Sequence, residues 1–469
     1  MKNQLLLSLA LGLAGATSLT AATTIDVYIT GSTAFRANCY TACQKLYTGG
    51  TPTIYYADGA HGGGSQGTSK ASSWVMTGSP ISSLSTLAGD TLVIHGLFTG
   101  SIQGVQAVEN QQQLTWAQPV GSGSPLISSS YVSKSPTVAF SDADSTSTPY
   151  SFSPSGNFVQ ENVCVQPFVV AKSQGGGIVS SISNVTWEQL YYGMPAGRIP
   201  GSAWSNNQSD SNNWVYLYER TSDSGTRRCA TAGEFYQFND PIGVYLYDAT
   251  NNVFYSSVGL SATNFTFGFS NTATAYASVI GSEGPGLGNA NLQWGPGYIG
   301  GGDIANNLNL ANAANEAIAV LSMSDSKSVG TVNWGNVVSF NGVWPTRAGS
   351  GLHGNTSTND FSPITEGFYP IWGYEVIVFP NPNATGNGGL GSDQDISLTQ
   401  LGDNSGNYPG SFIGVFNAQV PVGTAPVTGS IDNEIFLTET VVANYPNTAI
   451  RLNEMSSNRQ QVGGKIFPF

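Results

Sequence analysis

Short apolar runs of strand length recur along this chain, each followed by a turn of small residues and then by a stretch whose composition suits a helix. Ile25-Asp26-Val27-Tyr28-Ile29 leads into Gly31-Ser32-Thr33 and then Ala34-Phe35-Arg36-Ala37-Asn38-Cys39-Tyr40. Thr91-Leu92-Val93-Ile94-His95 leads into Gly100-Ser101-Ile102-Gln103-Gly104-Val105, with the helical pattern continuing through Gln111. Trp214-Val215-Tyr216-Leu217-Tyr218 leads to Arg220, then Ser222-Asp223-Ser224-Gly225-Thr226 and the helix-like Arg227-Arg228-Cys229-Ala230. Each unit predicts a strand, a tight turn and a helix N-terminus. Further strands are predicted over residues 137–141, 317–322 and 374–379, and a helix with a glycine stop over residues 185–193. The glycine- and asparagine-rich residues 381–393 read as loop. Alternating strands and helices predict an α/β protein, in which turns at the carboxyl ends of strands are the places where ligands bind.

The three turns share a chemistry. Ser32, Thr33, Ser101, Ser224 and Thr226 offer hydroxyls, and Gly225 allows close approach of the backbone. A helix start adds free N–H groups and the positive end of the helix dipole. Arg220, four residues before Ser224, can grip two oxygens of one anion with its planar fork. Any one of these turns alone reads first as a serine cap on an ordinary helix; three of them in one chain point to convergence on an oxyanion. The apolar run ending at Ser141 adds the carboxylate Asp142, with Asp144 as its neighbouring rival.

The order Gly-Ser-Thr-Ala-Phe (residues 31–35), Gly-Ser-x-x-Gly-Val (100–105), Ser-Asp-Ala (141–143) and Arg-x-x-x-Ser-Gly-Thr (220–226) resembles the periplasmic phosphate-binding proteins of ABC-type phosphate transport systems. Residues 317–322 and 364–372 are similar to later segments of that family. The resemblance implies a two-lobed α/β fold of the type II periplasmic-binding-protein kind, here with large Gly/Ser/Asn-rich insertions. It implies phosphate contacts from Thr33, Ser101, Asp142, Arg220, Ser224, Gly225 and Thr226. It implies inorganic phosphate and an ABC permease as partners of a monomer, with no cofactor, no metal and no catalysis. The expected organisation is a signal peptide over residues 1–22, a first lobe over 23–163, a second over 164–362 and a return to the first over 363–469. The chain departs from the family pattern at Ser222, where the family has an aspartate that fixes the arginine; Glu219 or Asp223 is the expected substitute partner. Residues 49–88 and 239–315 have no counterpart in the family.

Composition adjusts this picture. Charged residues make up 9% of the chain, while 40% hydrophobic and 11% aromatic residues supply a core. The net charge of −13 excludes a broad electrostatic footprint for nucleic acid or an anionic membrane. An anion site here must work through local donors at contact distance, which is feasible because remote charge is screened beyond about 8–10 Å. Lys2, the apolar residues 5–16 and Thr20-Ala21-Ala22 read as an export signal cleaved near Ala22, giving a periplasmic or extracellular protein with no membrane insertion. Four cysteines, Cys39, Cys43, Cys164 and Cys229, allow three pairings in an oxidising compartment. Cys39 and Cys43, four apart on a predicted helix, suit two buried thiols better than a bridge.

Other motifs carry less. Gly63-Gly64-Ser65-Gln66-Gly67 fits G-x-S-x-G without a preceding strand, and Gly295-Pro296-Gly297-Tyr298-Ile299-Gly300 fits G-x-G-x-x-G but contains proline and reads as a loop. Asp393-Gln394-Asp395 reads as a solvated loop, and His61, His95 and His353 are too scattered for a zinc site. Two function classes remain: a phosphate receptor that closes over its anion, and an exported surface or matrix protein built on the same scaffold with little or altered anion binding.

Overall fold

A computed structural model describes residues 22–468 apart from 57–72, 99, 120–130, 144–155, 222–223, 234–242, 244, 249–252, 257–296, 299, 311–314, 327–328, 331–334, 347–360, 386–388, 420–426, 434, 436–448 and 460–465. Residues 1–21 of the expected export signal, the G-x-S-x-G run, Asp144, Ser222, Asp223, His61 and His353 lie outside the described residues.

The first predicted strand is β1 (Thr24–Gly31), followed by β2 (Thr53–Tyr56), β3 (Ser73–Gly78), β4 (Thr91–Leu97), β5 (Leu114–Ala117), β6 (Tyr131–Lys134) and β7 (Val138–Ser141). After them come β8 (Phe158–Lys172), β9 (Asn184–Val185), β10 (Arg198–Pro200), β11 (Trp214–Tyr218), β12 (Tyr245–Asp248), β13 (Val253–Ser256), β14 (Ala317–Ser322), β15 (Val337–Phe340) and β16 (Trp372–Pro380). A mixed sheet runs in the order β10-β11-β14-β8-β16-β7-β1-β4-β3-β2, with β15 also on β8. Pairing is parallel between β1 and both its neighbours, and between β11 and β14. Parallel strands covered on both faces read as continuous apolar runs rather than alternations; β7 and β14 are buried at every position.

Separate cores form on the two halves of this sheet. In the first half, α1 (Arg36–Lys45) packs Cys39, Tyr40, Ala42 and Cys43 on one face with Val27, Ile29 and Phe140. On the opposite face α2 (Ser101–Glu109) packs Val105 and Val108 on Ala139, Val376 and Val378. In the second half, Cys229 and Ala230 of α4 (Gly225–Gly233) and Leu190 of α3 (Trp187–Gly193) belong to one core, while Ile304, Ala305 and Leu308 of α5 (Gly301–Leu308) pack on Ala317, Ala319 and Tyr218 in another. Helix α3 starts where Thr186 and Gln189 form a capping box.

The halves are joined by two crossing strands. The first part of β8 pairs with β16 from Phe158 to Pro167, and its last part pairs with β14 from Phe168 to Lys172. β16, arriving more than two hundred residues later in sequence, inserts between β7 and β8. The protein is thus a two-lobed α/β structure. Residues 49–88 contribute β2 and β3, which extend the first half antiparallel from β4. Among the described residues no helix is long and apolar enough to cross a membrane.

Several local expectations are corrected. Asp393 is held in a clamp rather than in a solvated loop: it accepts from Ser135 N at 2.9 Å, Ser135 Oγ at 2.6 Å and Gln113 Nε2 at 3.0 Å. As expected, Cys39 and Cys43 are two buried thiols, 3.9 Å apart between sulfurs, and Cys164 and Cys229 are buried as well. The helix expected to reach Gln111 ends at Glu109, with Gln111 left-handed at φ 49°.

Candidate functional site

The turns read from the sequence meet at the junction of the two halves. β1 ends at Gly31, whose φ of +115° and whose approach to Phe140 exclude a side chain: a Cβ there would lie 2.0 Å from the Phe140 carbonyl oxygen. That tight turn delivers Ser32, whose hydroxyl accepts from Phe35 N at 3.2 Å, and then Thr33. Ser101 is the first residue of α2 and Asp142 follows β7 directly. From the other half, Arg220 follows β11, while Ser224, Gly225 and Thr226 open α4. Thr33, Ser101, Asp142, Arg220, Ser224 and Thr226 are all buried.

Contacts cross between the halves at four points. Arg220 Nη2 donates to Thr33 Oγ1 at 3.1 Å. Thr226 Oγ1 donates to Asp142 Oδ2 at 3.4 Å, while Ser101, from Asp142's own half, donates to Oδ1. The Cys229 thiol donates to the Asp142 carbonyl at 3.0 Å. Gly225 lies against the same carboxylate so closely that a Cβ would stand 1.6 Å from Asp142 Oδ1 and 2.8 Å from Ser101 Oγ. Ser224 caps its helix through Arg227 N at 3.3 Å, so the ordinary capping role holds for this residue alongside any other.

Arg220 is fixed by a device absent from the sequence reading. Its Nε donates to the Tyr298 carbonyl at 3.2 Å, and the same carbonyl accepts from Thr221 N at 3.0 Å. Tyr298 N donates back to the Glu219 carbonyl at 2.9 Å. Glu219, one of the two expected partners of the arginine, accepts from the Arg220 backbone N at 2.7 Å, and the other, Asp223, lies outside the described residues. Tyr298 belongs to the stretch 239–315. Its signal was the glycine-rich run around it: Gly297 has φ +142°, and a Cβ there would lie 2.4 Å from the Arg220 carbonyl. Tyr298 packs against Tyr218 with ring centroids 5.4 Å apart, which ties the loop to the lobe core.

Electrostatics follow from burial. Asp142 is pushed above the usual aspartate range by burial, and pulled back by the Ser101 hydrogen bond, the Arg220 charge, its own backbone and Thr226. Glu219 is likewise raised by burial, against the nearby Arg227 and Arg220 charges. Glu375, on β16, is pushed well above the glutamate range by burial first and by the charge of Asp142 second. Sequence reasoning passed over Glu375, although one acidic residue inside the apolar run Tyr374-Glu375-Val376-Ile377-Val378-Phe379 is itself a signal.

A buried guanidinium on the Thr33 hydroxyl, a helix start and a carboxylate flanked by the Ser101 and Thr226 hydroxyls can together hold a tetrahedral anion that carries one proton: the cation and hydroxyls donate, and the carboxylate accepts the anion's O–H. Among the described residues no group of His, Cys, Asp and Glu is placed to hold a metal ion.

No family model and no curated protein matches this sequence. Among solved structures the chain is similar to a putative phosphate ABC transporter substrate-binding protein with bound phosphate from Clostridium perfringens, at 11% identity over 78% of this chain and 90% of that one, with a TM-score of 0.35. It is similar to an ABC-type phosphate transport receptor from Vibrio cholerae at 11% identity, covering 77% of this chain and 88% of that one, TM-score 0.34. It is also similar to a phosphate-binding protein from Stenotrophomonas maltophilia at 15% identity, covering 76% and 78%, TM-score 0.29. At these identities and TM-scores the likeness says nothing of this chain's ligand.

Proposed function

We propose that this protein is an extracytoplasmic receptor that closes its two lobes over inorganic phosphate and delivers it to an ABC permease. Thr33, Ser101, Asp142, Arg220, Ser224, Gly225 and Thr226 form its anion site. The observation that carries this reading is the meeting of Arg220 with Thr33 at 3.1 Å, and of Thr226 with Asp142 at 3.4 Å, across the junction of the halves. A buried arginine and a buried aspartate so placed favour an anion that accepts on one side and donates on the other. Sulfate, which has no proton at neutral pH, would leave the Asp142 carboxylate opposed by a bare oxyanion.

The reading assigns residues 23–163 and 363–469 to one lobe and 164–362 to the other, with β8 and β16 as the crossings. Export rests on the N-terminal pattern of Lys2, the apolar residues 5–16 and the small residues before Ala22. The permease rests on the sequence resemblance. Phosphate should raise the melting temperature of ligand-stripped protein by simple linkage, and Arg220→Ala should abolish that shift. No shift at millimolar phosphate would reject the reading.

One observation favours a second reading. Ser101 and Thr226 already satisfy the Asp142 carboxylate between them, as a polar latch joining two halves of an exported surface protein would. In that case Asp142→Asn lowers the melting temperature, and phosphate changes nothing.

A further inference from the structure

Glu375 is a buried titratable group that the anion site, as described so far, does not use. Its side chain is 0% exposed. It lies on β16, the strand shared by both halves, where the register against β8 shifts between Glu375 and Val376. Val376 stands opposite Ser141 on β7, so Glu375 occupies the position alongside Asp142.

The groups that face it come from four elements: Asp142 after β7, Cys39 on α1, Cys164 on β8 and Ser32 in the turn after β1. None of these is a cation. Neither carboxyl oxygen of Glu375 makes a hydrogen bond of ordinary geometry among the described residues, and the nearby Ser32 hydroxyl favours the charged form only in part. A carboxylate in that place would be desolvated, uncompensated and next to another negative charge, a combination that forces a proton onto the group. Asp142 has what Glu375 lacks: Ser101, Arg220 and Thr226 all favour its charge. Two adjacent carboxyls in unequal surroundings therefore share one negative charge.

We propose that Glu375 is a positioning residue of the anion site: a neutral carboxylic acid beside Asp142, on the strand that joins the lobes, which confines the site's negative charge to Asp142. The proposal rests on the phosphate reading above. Ionisation of Glu375 would set a second negative charge beside Asp142 and the bound anion. Affinity should then fall as pH rises through the titration of Glu375, by up to about tenfold per pH unit.

The test is calorimetric titration with inorganic phosphate of wild-type and Glu375→Gln protein over one rising alkaline pH series, in which the difference between the two profiles isolates Glu375. Wild-type affinity should fall with pH while the Glu375→Gln profile stays nearly flat. Parallel profiles would overturn the role. Glu375→Met, of similar volume, serves if the amide fails to fold, with the same expectation. Melting curves without phosphate separate the two layers of the claim. The gap in melting temperature between Glu375→Gln and wild type should widen as pH rises from about 5, because only the wild type must hold a proton there. A constant gap would show that Glu375 is not a neutral acid. Phosphate heat absent from both proteins, with melts that diverge, would leave the buried acid standing and overturn both the receptor reading and this residue's part in it.

Discussion

Gly225→Ala puts the smallest side chain at the tightest point between the two halves. The added Cβ would lie 1.6 Å from Asp142 Oδ1 and 2.5 Å from Asp142 Cγ, where ordinary contact begins at 3.4 Å. The carboxylate would need to retreat by about 2 Å, yet it is buried and tethered by Ser101 and Thr226. Relief therefore comes most cheaply by parting the halves, since Gly225 belongs to α4 in one and Asp142 and Ser101 to the other. Overpacking of this kind costs about 1–3 kcal/mol, and because the cost falls on the closed arrangement it should appear as a roughly 5- to 150-fold loss of phosphate affinity. The lobe cores are untouched, and alanine favours a helix over glycine. The melting temperature without ligand should consequently move by less than about 4 °C. Calorimetry with phosphate and a melt without it are the two assays. Affinity within twofold of wild type would refute the reasoning, and so would a loss of affinity accompanied by a large fall in the apo melt, which would place the defect in folding rather than closure.

Three further outcomes are expected. Arg220→Ala should weaken phosphate binding by about 2–5 kcal/mol in titration, with only partial recovery in Arg220→Lys because the planar fork is lost. Asp142→Asn should weaken phosphate modestly and narrow the gap to sulfate, since an amide can rotate to donate; an unchanged ratio of the two affinities would remove Asp142 from the recognition role. For stability against pH, Glu375 has a folded pKa raised above its unfolded value, so its contribution is intact below the ordinary glutamate range and declines as pH rises. Denaturant melts of wild type should therefore lose about 1.4 kcal/mol per pH unit relative to Glu375→Gln above about pH 4.3, until the folded group itself titrates.

Much of this arrangement was legible in the sequence because it is local. A strand, a small turn and a helix start form from adjacent residues, so the apolar run 214–218 became β11 without a shift and residues 317–322 became β14. The residues gathered at the junction were readable for the same reason: Ser101, Ser224, Gly225 and Thr226 announce themselves by lying at helix starts. What was not legible depended on contacts distant in sequence. Tyr298 reaches Arg220 through a loop 78 residues further along the chain, and no periodicity encodes which carbonyl a guanidinium finds. Proximity leaves Glu219 and Asp223 as alternative partners of the arginine, and it does not encode that the Glu219 carboxylate turns to the backbone N–H. Asp393 looked like surface loop by composition, yet Ser135 and Gln113, far back in the chain, draw it into a clamp. Glu375 was visible as one charge in an apolar strand, but its meaning required the ladder that sets β16 against β7.

The most direct measurement is a paired calorimetric titration of ligand-stripped wild-type protein with phosphate and with sulfate at neutral pH. The account predicts one phosphate per chain and sulfate weaker by roughly 10⁴-fold, because Asp142 can accept a proton from the first anion and only repels the second. Absence of heat at millimolar phosphate, or sulfate bound as tightly as phosphate, would contradict it.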